Sequence, residues 1–165
     1  MDPARCLRHL FSFPWRLRRC FPSATLDAIE QAIKASELRH GGELRFVLEH
    51  ALDPWLALRG LGGRERALQV FAAQRVWDTE ANCGVLVYLL FADRDIEIVA
   101  DRGIDHLVPP ETWQAIARAM EARFRQDDFL GGSLSAIEAI SELLARHFPR
   151  SATDVDELPN RPVLL

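Results

Sequence analysis

The chain contains 165 residues, 48% hydrophobic and 27% charged, a length that suits one ordinary hydrophobic core and is too short for two domains of the usual size. Its net charge of −4 argues against a nucleic-acid-binding body, and its longest apolar run, 85–92, is too short to span a membrane. The 3 cysteines lack metal-ligand spacing, which favours reduced thiols over a disulfide framework or a zinc site. We therefore expect one soluble cytoplasmic domain with no nucleic-acid partner and no transmembrane segment.

Residues 1–22 form a basic, aromatic arm that differs in composition from the rest of the chain. The arm carries 5 arginines against Asp2 alone, and Phe11, Phe13 and Trp15 are interleaved with them. A proline and the arginines interrupt every apolar stretch, so the arm lacks the pattern of a secretory signal peptide. We expect its aromatic residues to pack on the domain. Peripheral contact with the inner face of an anionic membrane is the alternative.

Hydrophobic periodicity predicts the element order α-β-α-β-β-α-α along the remaining chain. The predicted strands cover 44–49, 85–92 and 96–100. The predicted helices are one over about 25–39, one ending near Trp77, one opened by the prolines at 109 and 110, and one capped by Ser133 and closed by Pro149. Glycines at 131 and 132 are expected to separate the last two helices.

This order predicts an α/β fold, a three-layer αβα sandwich with a small mixed sheet, over residues 23–149. The run 85–92 is apolar throughout, which is typical of a central strand covered on both faces. A right-handed crossover makes the first two strands parallel, and the short turn at Asp93–Asp95 makes the last two antiparallel. We expect the arm and the polar tail, 150–165, to lie outside the sheet. The expected core residues are Ile29, Ile33, Phe46, Leu48, Phe71, Leu86, Tyr88, Leu90, Ile98, Ile116, Met120, Ile137 and Ile140.

Strand direction brings the starts of the first two strands and the end of the third to one pole of the sheet, where Glu43, Asn82, Asp101 and Asp105 collect. Carboxylate and amide oxygens are hard ligands that suit Ca²⁺ or Mg²⁺. These four residues predict a divalent-cation site, for calcium first and magnesium second, although their spacing does not match an EF-hand loop. The alternative is that Asp101 and Asp105 cap a turn and the following helix.

Several short segments, in this order, resemble the TPM domain family, small domains similar to a thylakoid-lumen acid phosphatase and often labelled a methanol-dehydrogenase-type propeller. The matching segments are Gly41-Gly42-Glu43-Leu44-Arg45-Phe46, Trp77, Asn82-Cys83-Gly84-Val85-Leu86, Asp93-Arg94, and Asp128-Phe129 with Gly132-Ser133-Leu134. The resemblance covers about 23–149. It implies an αβα sandwich, a bound divalent cation, usually calcium, in some relatives, and weak phosphatase activity proposed for a few.

The chain departs from the family at the turn after the third strand. Where the family commonly has Gly-x-Gly-Leu-Glu, this chain has Asp101-Arg102-Gly103-Ile104-Asp105, which adds a carboxylate and shortens the last acidic side chain. That change favours metal binding with an altered geometry. Many relatives carry an export signal and a membrane anchor, which we do not expect here, so their periplasmic roles do not transfer.

Two classes of function follow from these observations. A binding or scaffold module needs only the folded domain, its basic arm and a structural ion, and its partner would be a protein or a component of a membrane complex. A phosphatase would need a metal-activated water oriented by Asp101, with Arg102 or His106 stabilising the phosphate. We favour the module and keep a weak metal-dependent phosphatase as the alternative.

Overall fold

The computed structural model describes residues 2–152 and 157–165. In chain order its elements are α1 (Pro3–Leu10), α2 (Pro14–Cys20), α3 (Ser23–Ser36), β1 (Glu43–Glu49), α4 (Pro54–Leu58), α5 (Gly63–Ala73), β2 (Gly84–Leu90), β3 (Asp95–Ala100), α6 (Arg102–Asp105), α7 (Pro110–Phe124), α8 (Phe129–His147) and β4 (Val163–Leu164). The predicted order is present, with additional short helices in the arm, after β1 and after β3. Prolines open α1 and α2, so the arm forms two short helices and not one long one.

The described residues form a mixed sheet in the order β3-β2-β1-β4. β1 and β2 run parallel, with Glu43 beside Gly84, and β2 and β3 run antiparallel, with Val85 beside Ala100. The expected parallel and antiparallel pairings are therefore confirmed. All residues of β2 are buried and the strand lies inside the sheet, as its apolar run predicts.

Helices cover both faces of the sheet, which confirms the α/β sandwich. On one face α3, α7 and α8 pack over side chains that include Phe46 and Val87. On the other face α4 and α5 pack over side chains that include Val47 and Leu86. Neighbouring residues of each strand thus alternate between two separate layers of core.

The expected core is confirmed with two exceptions. The buried members are Ile29, Ile33, Phe46, Leu48, Leu86, Tyr88, Leu90, Ile98, Met120, Ile137 and Ile140. Phe71 and Ile116 are half-buried and pack at the margins of the two core layers. In α5 the neighbouring Val70 is buried in place of Phe71, because the inward face of that helix lies one residue before the predicted position. In α7 the adjacent Ala117 is buried, and Ile116 packs at the edge of the same face.

The C-terminal tail lies partly in the sheet, and our expectation that it stays outside is wrong. Val163–Leu164 pairs parallel with β1, and the backbone N–H of Leu165 donates to the carbonyl of Leu48 at 2.9 Å. Leu158 is buried in the core layer beside α5. Pairing satisfies backbone groups that the edge of β1 would otherwise leave open. Residues 153–156 of the predicted tail lie outside the described residues.

Helix α8 begins at Phe129, earlier than predicted, with Asp128 and not Ser133 as its N-cap. The Asp128 side chain accepts the backbone N–H three residues further on at 2.9 Å, and the Ser133 hydroxyl donates to the Phe129 carbonyl. A Cβ at Gly132 would lie 2.7 Å from the Phe124 ring. The glycines predicted to separate α7 from α8 are thus inside α8, where one of them permits close contact with α7.

Candidate functional site

The predicted pole of the sheet forms, but its carboxylates do not group into a metal site among the described residues. Glu43 lies beside Gly84, and the backbone N–H of Asp101 donates to the Gly84 carbonyl at 2.8 Å. Glu43, at the start of β1, and Asp101, just after β3, therefore lie on opposite sides of β2, with their backbones about 10 Å apart at two strand spacings. A Cβ at Gly84 would lie 2.0 Å from the carbonyl oxygen of Val76. The backbone of that residue fills the space above Gly84.

Glu43 holds the C-terminal tail. Its carboxylate accepts the backbone N–H groups of Glu157 at 3.0 Å and Leu158 at 3.2 Å, and the residue is 3% exposed. Arg45, two residues along β1, donates to the carbonyl of Arg161 at 3.0 Å. Glu43 and Arg45 thus bind backbone groups of the tail, and these hydrogen bonds explain why two charged side chains are buried beneath it.

Asp101 is the N-cap of α6, which confirms the alternative reading of that residue. Its Oδ1 accepts the backbone N–H of Arg102 at 2.8 Å, whereas its buried Oδ2 has no hydrogen-bond partner among the described residues. Asp105 is exposed. Asn82 adopts a left-handed backbone conformation, and its carbonyl accepts the backbone N–H of Gly103 at 2.8 Å. Within 2–152 and 157–165 no three His, Cys, Asp or Glu side chains are grouped to hold a metal ion.

The four predicted calcium ligands thus lie at the same end of the sheet, but their side chains do not form a group that could hold a metal ion among the described residues. One carboxylate binds the tail and another is exposed, so they do not fit a site built from all four. The buried Oδ2 of Asp101, which has no hydrogen-bond partner among the described residues, is a feature of this pole that suits a cation. The catalytic candidates Asp101, Arg102 and His106 all belong to α6. Asp101 is its N-cap, Arg102 its first residue and His106 its C-cap, and the side chains of Arg102 and His106 are exposed. Their role in phosphate hydrolysis stays a prediction.

Helix α1 is held to the β2–β3 turn by charged groups around Asp93. Arg5 and Arg8 each donate to its carboxylate at 2.7 Å, and Nε2 of the buried His9 lies 3.1 Å from it. Nδ1 of His9 accepts the backbone N–H of Leu52 at 3.0 Å. Although burial opposes the shift, the hydrogen bond from Arg5 and the nearby His9 lower the pKa of Asp93. The first helix of the arm is therefore part of the folded structure.

Helix α2 is anchored by Leu17 on its inner face and by Phe21 just after its end, both buried. The Phe21 ring makes edge contacts with Phe124, at 5.7 Å between centroids, and with Phe129, at 5.4 Å. The second helix therefore packs on the turn between α7 and α8.

The aromatic residues that we expected to pack on the domain are exposed, and that expectation is wrong. Phe11, Phe13 and Trp15 are 61%, 49% and 59% exposed. The arm is held to the domain by Arg5 and Arg8 in α1 and by Leu17 and Phe21 at its end, so the three aromatic rings between them stay at the surface. Sequence composition marked them as unusual but did not reveal which side of the helices faces the core.

A groove of about 520 Å³, which we name the α2 groove, lies between α2 and the α7–α8 turn. It is lined by Arg8, Phe11, Ser12, Trp15, Arg16, Arg19, Cys20, Leu89, Phe91, Ala92, Arg94, Ile96, Glu121, Phe124, Arg125, Asp127 and Phe129. Burial raises the pKa of the Cys20 thiol. Sequence reasoning missed the α2 groove, because its two walls are about a hundred residues apart in the chain. The interleaved arginine and aromatic residues of the arm were the available signal.

Comparison with known proteins gives the family of the chain. Curated proteins yield no match. A solved structure, BA42 from the psychrophilic bacterium Bizionia argentinensis, is 30% identical with a TM-score of 0.76, and the match covers 87% of this chain and 94% of that one. The N-terminal domain of cg2496 from Corynebacterium glutamicum is 14% identical with a TM-score of 0.55, covering 82% and 80%. That second match shows the fold alone. The family model described as TPM domain matches residues 18–143, more than half of the sequence, so the chain belongs to the TPM domain family.

Proposed function

We propose that this TPM domain is a binding module that attaches to an anionic membrane surface through α1 and α2, at the cytoplasmic face. The observation that carries the proposal is a group of large apolar side chains exposed among arginines. The group consists of Leu7, Leu10, Phe11, Phe13 and Trp15, each 49–61% exposed. Apolar and aromatic side chains bordered by cations suit the boundary between headgroups and acyl chains. No helix in the described part of the chain is long and apolar enough to cross a membrane.

Three arginines of α2 are available to anionic headgroups. Arg5 and Arg8 are bound to Asp93, so the arm offers fewer free cations than its composition predicts. Arg16, Arg18 and Arg19 are exposed and form no ion pair with another described residue. Each arginine near an anionic surface contributes about 1 kcal/mol, which gives about 3 kcal/mol for the three. The exposed aromatic side chains add to this through insertion.

Co-sedimentation with vesicles tests the proposal. The full chain should bind vesicles rich in phosphatidylglycerol and lose binding to pure phosphatidylcholine and at high salt. A variant with Arg16→Gln, Arg18→Gln and Arg19→Gln should bind on the order of 100-fold more weakly. Equal binding to both vesicle types would contradict the proposal.

A matched control removes the same charge elsewhere. Arg75→Gln, Arg118→Gln and Arg146→Gln together change three exposed arginines outside the arm and should leave vesicle binding within about threefold of the wild type. Truncation at residue 22 is not a suitable test. Such a cut removes the buried Leu17 and Phe21 and would open the core.

Attachment at the surface would hold the domain close to membrane complexes, which is the class of protein partner that we expect. A pull-down from solubilised membranes with wild-type and triple-variant protein would test this. Partners recovered equally by both proteins would show that recognition does not need α2.

A second candidate function is cation binding at Asp101, supported by its buried, unpartnered Oδ2. The other ligands would come from backbone carbonyls and water, because the Glu43 carboxylate holds the tail. Calorimetric titration should show saturable Ca²⁺ binding that Asp101→Asn weakens and that the exposed control Asp105→Asn leaves unchanged. Phosphatase assays on the same proteins, with and without metal, test the catalytic alternative. Absence of heat at millimolar Ca²⁺ and Mg²⁺ would exclude the cation site.

A further inference from the structure

We propose that the α2 groove binds one anionic amphiphile, an alkyl chain that ends in a carboxylate or phosphate. The alkyl chain of the ligand would lie on the apolar floor of the groove, and its anionic head would contact Arg16, Arg19 and Arg94 at the rim. This goes beyond surface attachment, because it takes a single molecule from solution and needs no membrane. The volume of about 520 Å³ falls in the usual range of small-molecule sites.

The charges of the α2 groove favour an anion. Two of its lining arginines have carboxylate partners: Arg8 binds Asp93 at 2.7 Å and Arg125 binds Glu121 at 2.9 Å. Three remain, at positions 16, 19 and 94, and among the described residues they form no ion pair. The lining carboxylate that is not bound to an arginine is Asp127. Positive charge is therefore in excess at the rim.

The floor of the α2 groove favours an alkyl chain over a peptide or a nucleotide. Leu89 and Ile96 are buried there, and Phe124 and Phe129 contact each other at 5.1 Å between ring centroids. The hydroxyl of Ser12, also in the lining, already donates to a backbone carbonyl at 3.2 Å. A peptide backbone or a base edge would leave polar groups unpaired on such a floor, whereas an alkyl chain has none.

Arg94 stands at the tip of the β2–β3 hairpin with a φ of +55°. This left-handed conformation costs little for glycine and more for arginine. The chain therefore places a guanidinium at the rim where glycine would fit the backbone better. The position also offers a variant that removes the charge without straining the fold.

Titration calorimetry of the full chain with monomeric dodecyl phosphate, below its micelle concentration, tests the proposal. Dodecanoate tests a carboxylate head on the same alkyl chain. Inorganic phosphate tests the anionic head alone, and dodecyltrimethylammonium tests the alkyl chain with a cationic head. We expect 1:1 binding of both alkyl anions and at least tenfold weaker binding of the other two probes. Equal affinity for inorganic phosphate or for the cation would overturn the proposal, as would uptake of many molecules without saturation.

Two neighbouring arginines of α2 provide a matched pair of variants. Arg19 lines the α2 groove and Arg18 does not, although both are exposed. Arg19→Gln should weaken binding of the alkyl anions about tenfold, the loss expected for one charge-assisted hydrogen bond, and Arg18→Gln should leave it unchanged. Arg94→Gly should also weaken binding of the alkyl anions about tenfold, and the melting temperature of this variant should stay within about 2 °C of the wild type. Equal effects at 18 and 19 would overturn the proposal.

Cysteine labelling gives a second readout of the same site. Cys20 lines the α2 groove, whereas Cys6, also half-buried, does not. Saturating dodecyl phosphate should slow alkylation of Cys20 and leave the rate at Cys6 unchanged. Unprotected Cys20 would place the ligand elsewhere. Attachment to vesicles, in contrast, should depend on Arg18 and Arg19 alike, so the failure of either proposal is distinguishable from the failure of the other.

Discussion

Replacement of Glu43 by glutamine separates its observed role, holding the tail, from its predicted role as a calcium ligand. The buried carboxylate accepts two backbone N–H groups, from Glu157 at 3.0 Å and from Leu158 at 3.2 Å. A hydrogen bond to a charged group contributes about 1.5–3 kcal/mol. In Glu43→Gln the amide oxygen can still accept one N–H, but the amide nitrogen would face the other donor.

The expected loss is smaller than the sum of two such bonds, because a neutral amide costs less to bury than a carboxylate. We therefore expect Glu43→Gln to lower the free energy of unfolding by about 2–3 kcal/mol, after allowing for the bond retained. In a chain of this length that corresponds to a melting temperature lower by about 4–12 °C. Urea and thermal unfolding measure both quantities, and amide hydrogen exchange at 157 and 158 reports the tail directly.

The presence of calcium decides between the two roles. Tail anchoring predicts the same loss of stability with and without Ca²⁺, together with faster exchange at 157 and 158. The exposed control Glu142→Gln should change the free energy of unfolding by no more than about 0.5 kcal/mol. If Glu43→Gln destabilised the protein only when Ca²⁺ was present, the tail-anchoring argument would be refuted.

Three further predictions concern the core. Gly84→Ala should lower the free energy of unfolding by about 3 kcal/mol or more, since its Cβ would lie 2.0 Å from the Val76 carbonyl oxygen. Burial lowers the pKa of His40, so the unfolded chain binds its proton more readily, and stability should decrease as the pH falls below about 6.5. Phe21→Ala should cost about 3–5 kcal/mol, because its buried ring packs against two others.

Each of these predictions has a control and a contrary result. Gly62→Ala meets no atom within 4 Å and should be tolerated, so an equal loss at 62 and 84 would contradict the steric argument. His40→Gln should flatten the decrease in stability below pH 6.5, and an unchanged pH profile would assign that decrease to another group. Phe13→Ala removes an exposed ring and should cost about 0.5 kcal/mol or less, so a loss as large as that of Phe21→Ala would contradict the assigned burial.

The arrangement of the sheet followed from local patterns in the chain. A continuous apolar run predicted β2 as a strand covered on both faces, and the length of each connection predicted its direction relative to β1 and β3. Helix boundaries followed less directly from the sequence. The glycines at 131 and 132 suggested a break, whereas the helix runs through them because glycine lets α8 approach α7 closely.

The candidate sites show a different balance. Strand direction correctly brought Glu43 and Asp101 to the same end of the sheet, but it did not indicate that Glu43 would meet the tail, 114 residues away in the chain. Likewise, the composition of the arm marked its arginines, although the carboxylate that binds two of them, Asp93, lies on a distant hairpin.

The sequence by itself thus determined the family, the order and direction of the strands, and most of the core, because hydrophobic periodicity and short connections act over neighbouring residues. Only the tertiary structure decided which charges are free. It left Arg16 and Arg19 beside an apolar groove, exposed Trp15, and placed the tail over the Glu43 carboxylate. The role of a polar side chain depends on the partner that meets it across space, and those partners come from remote parts of the chain.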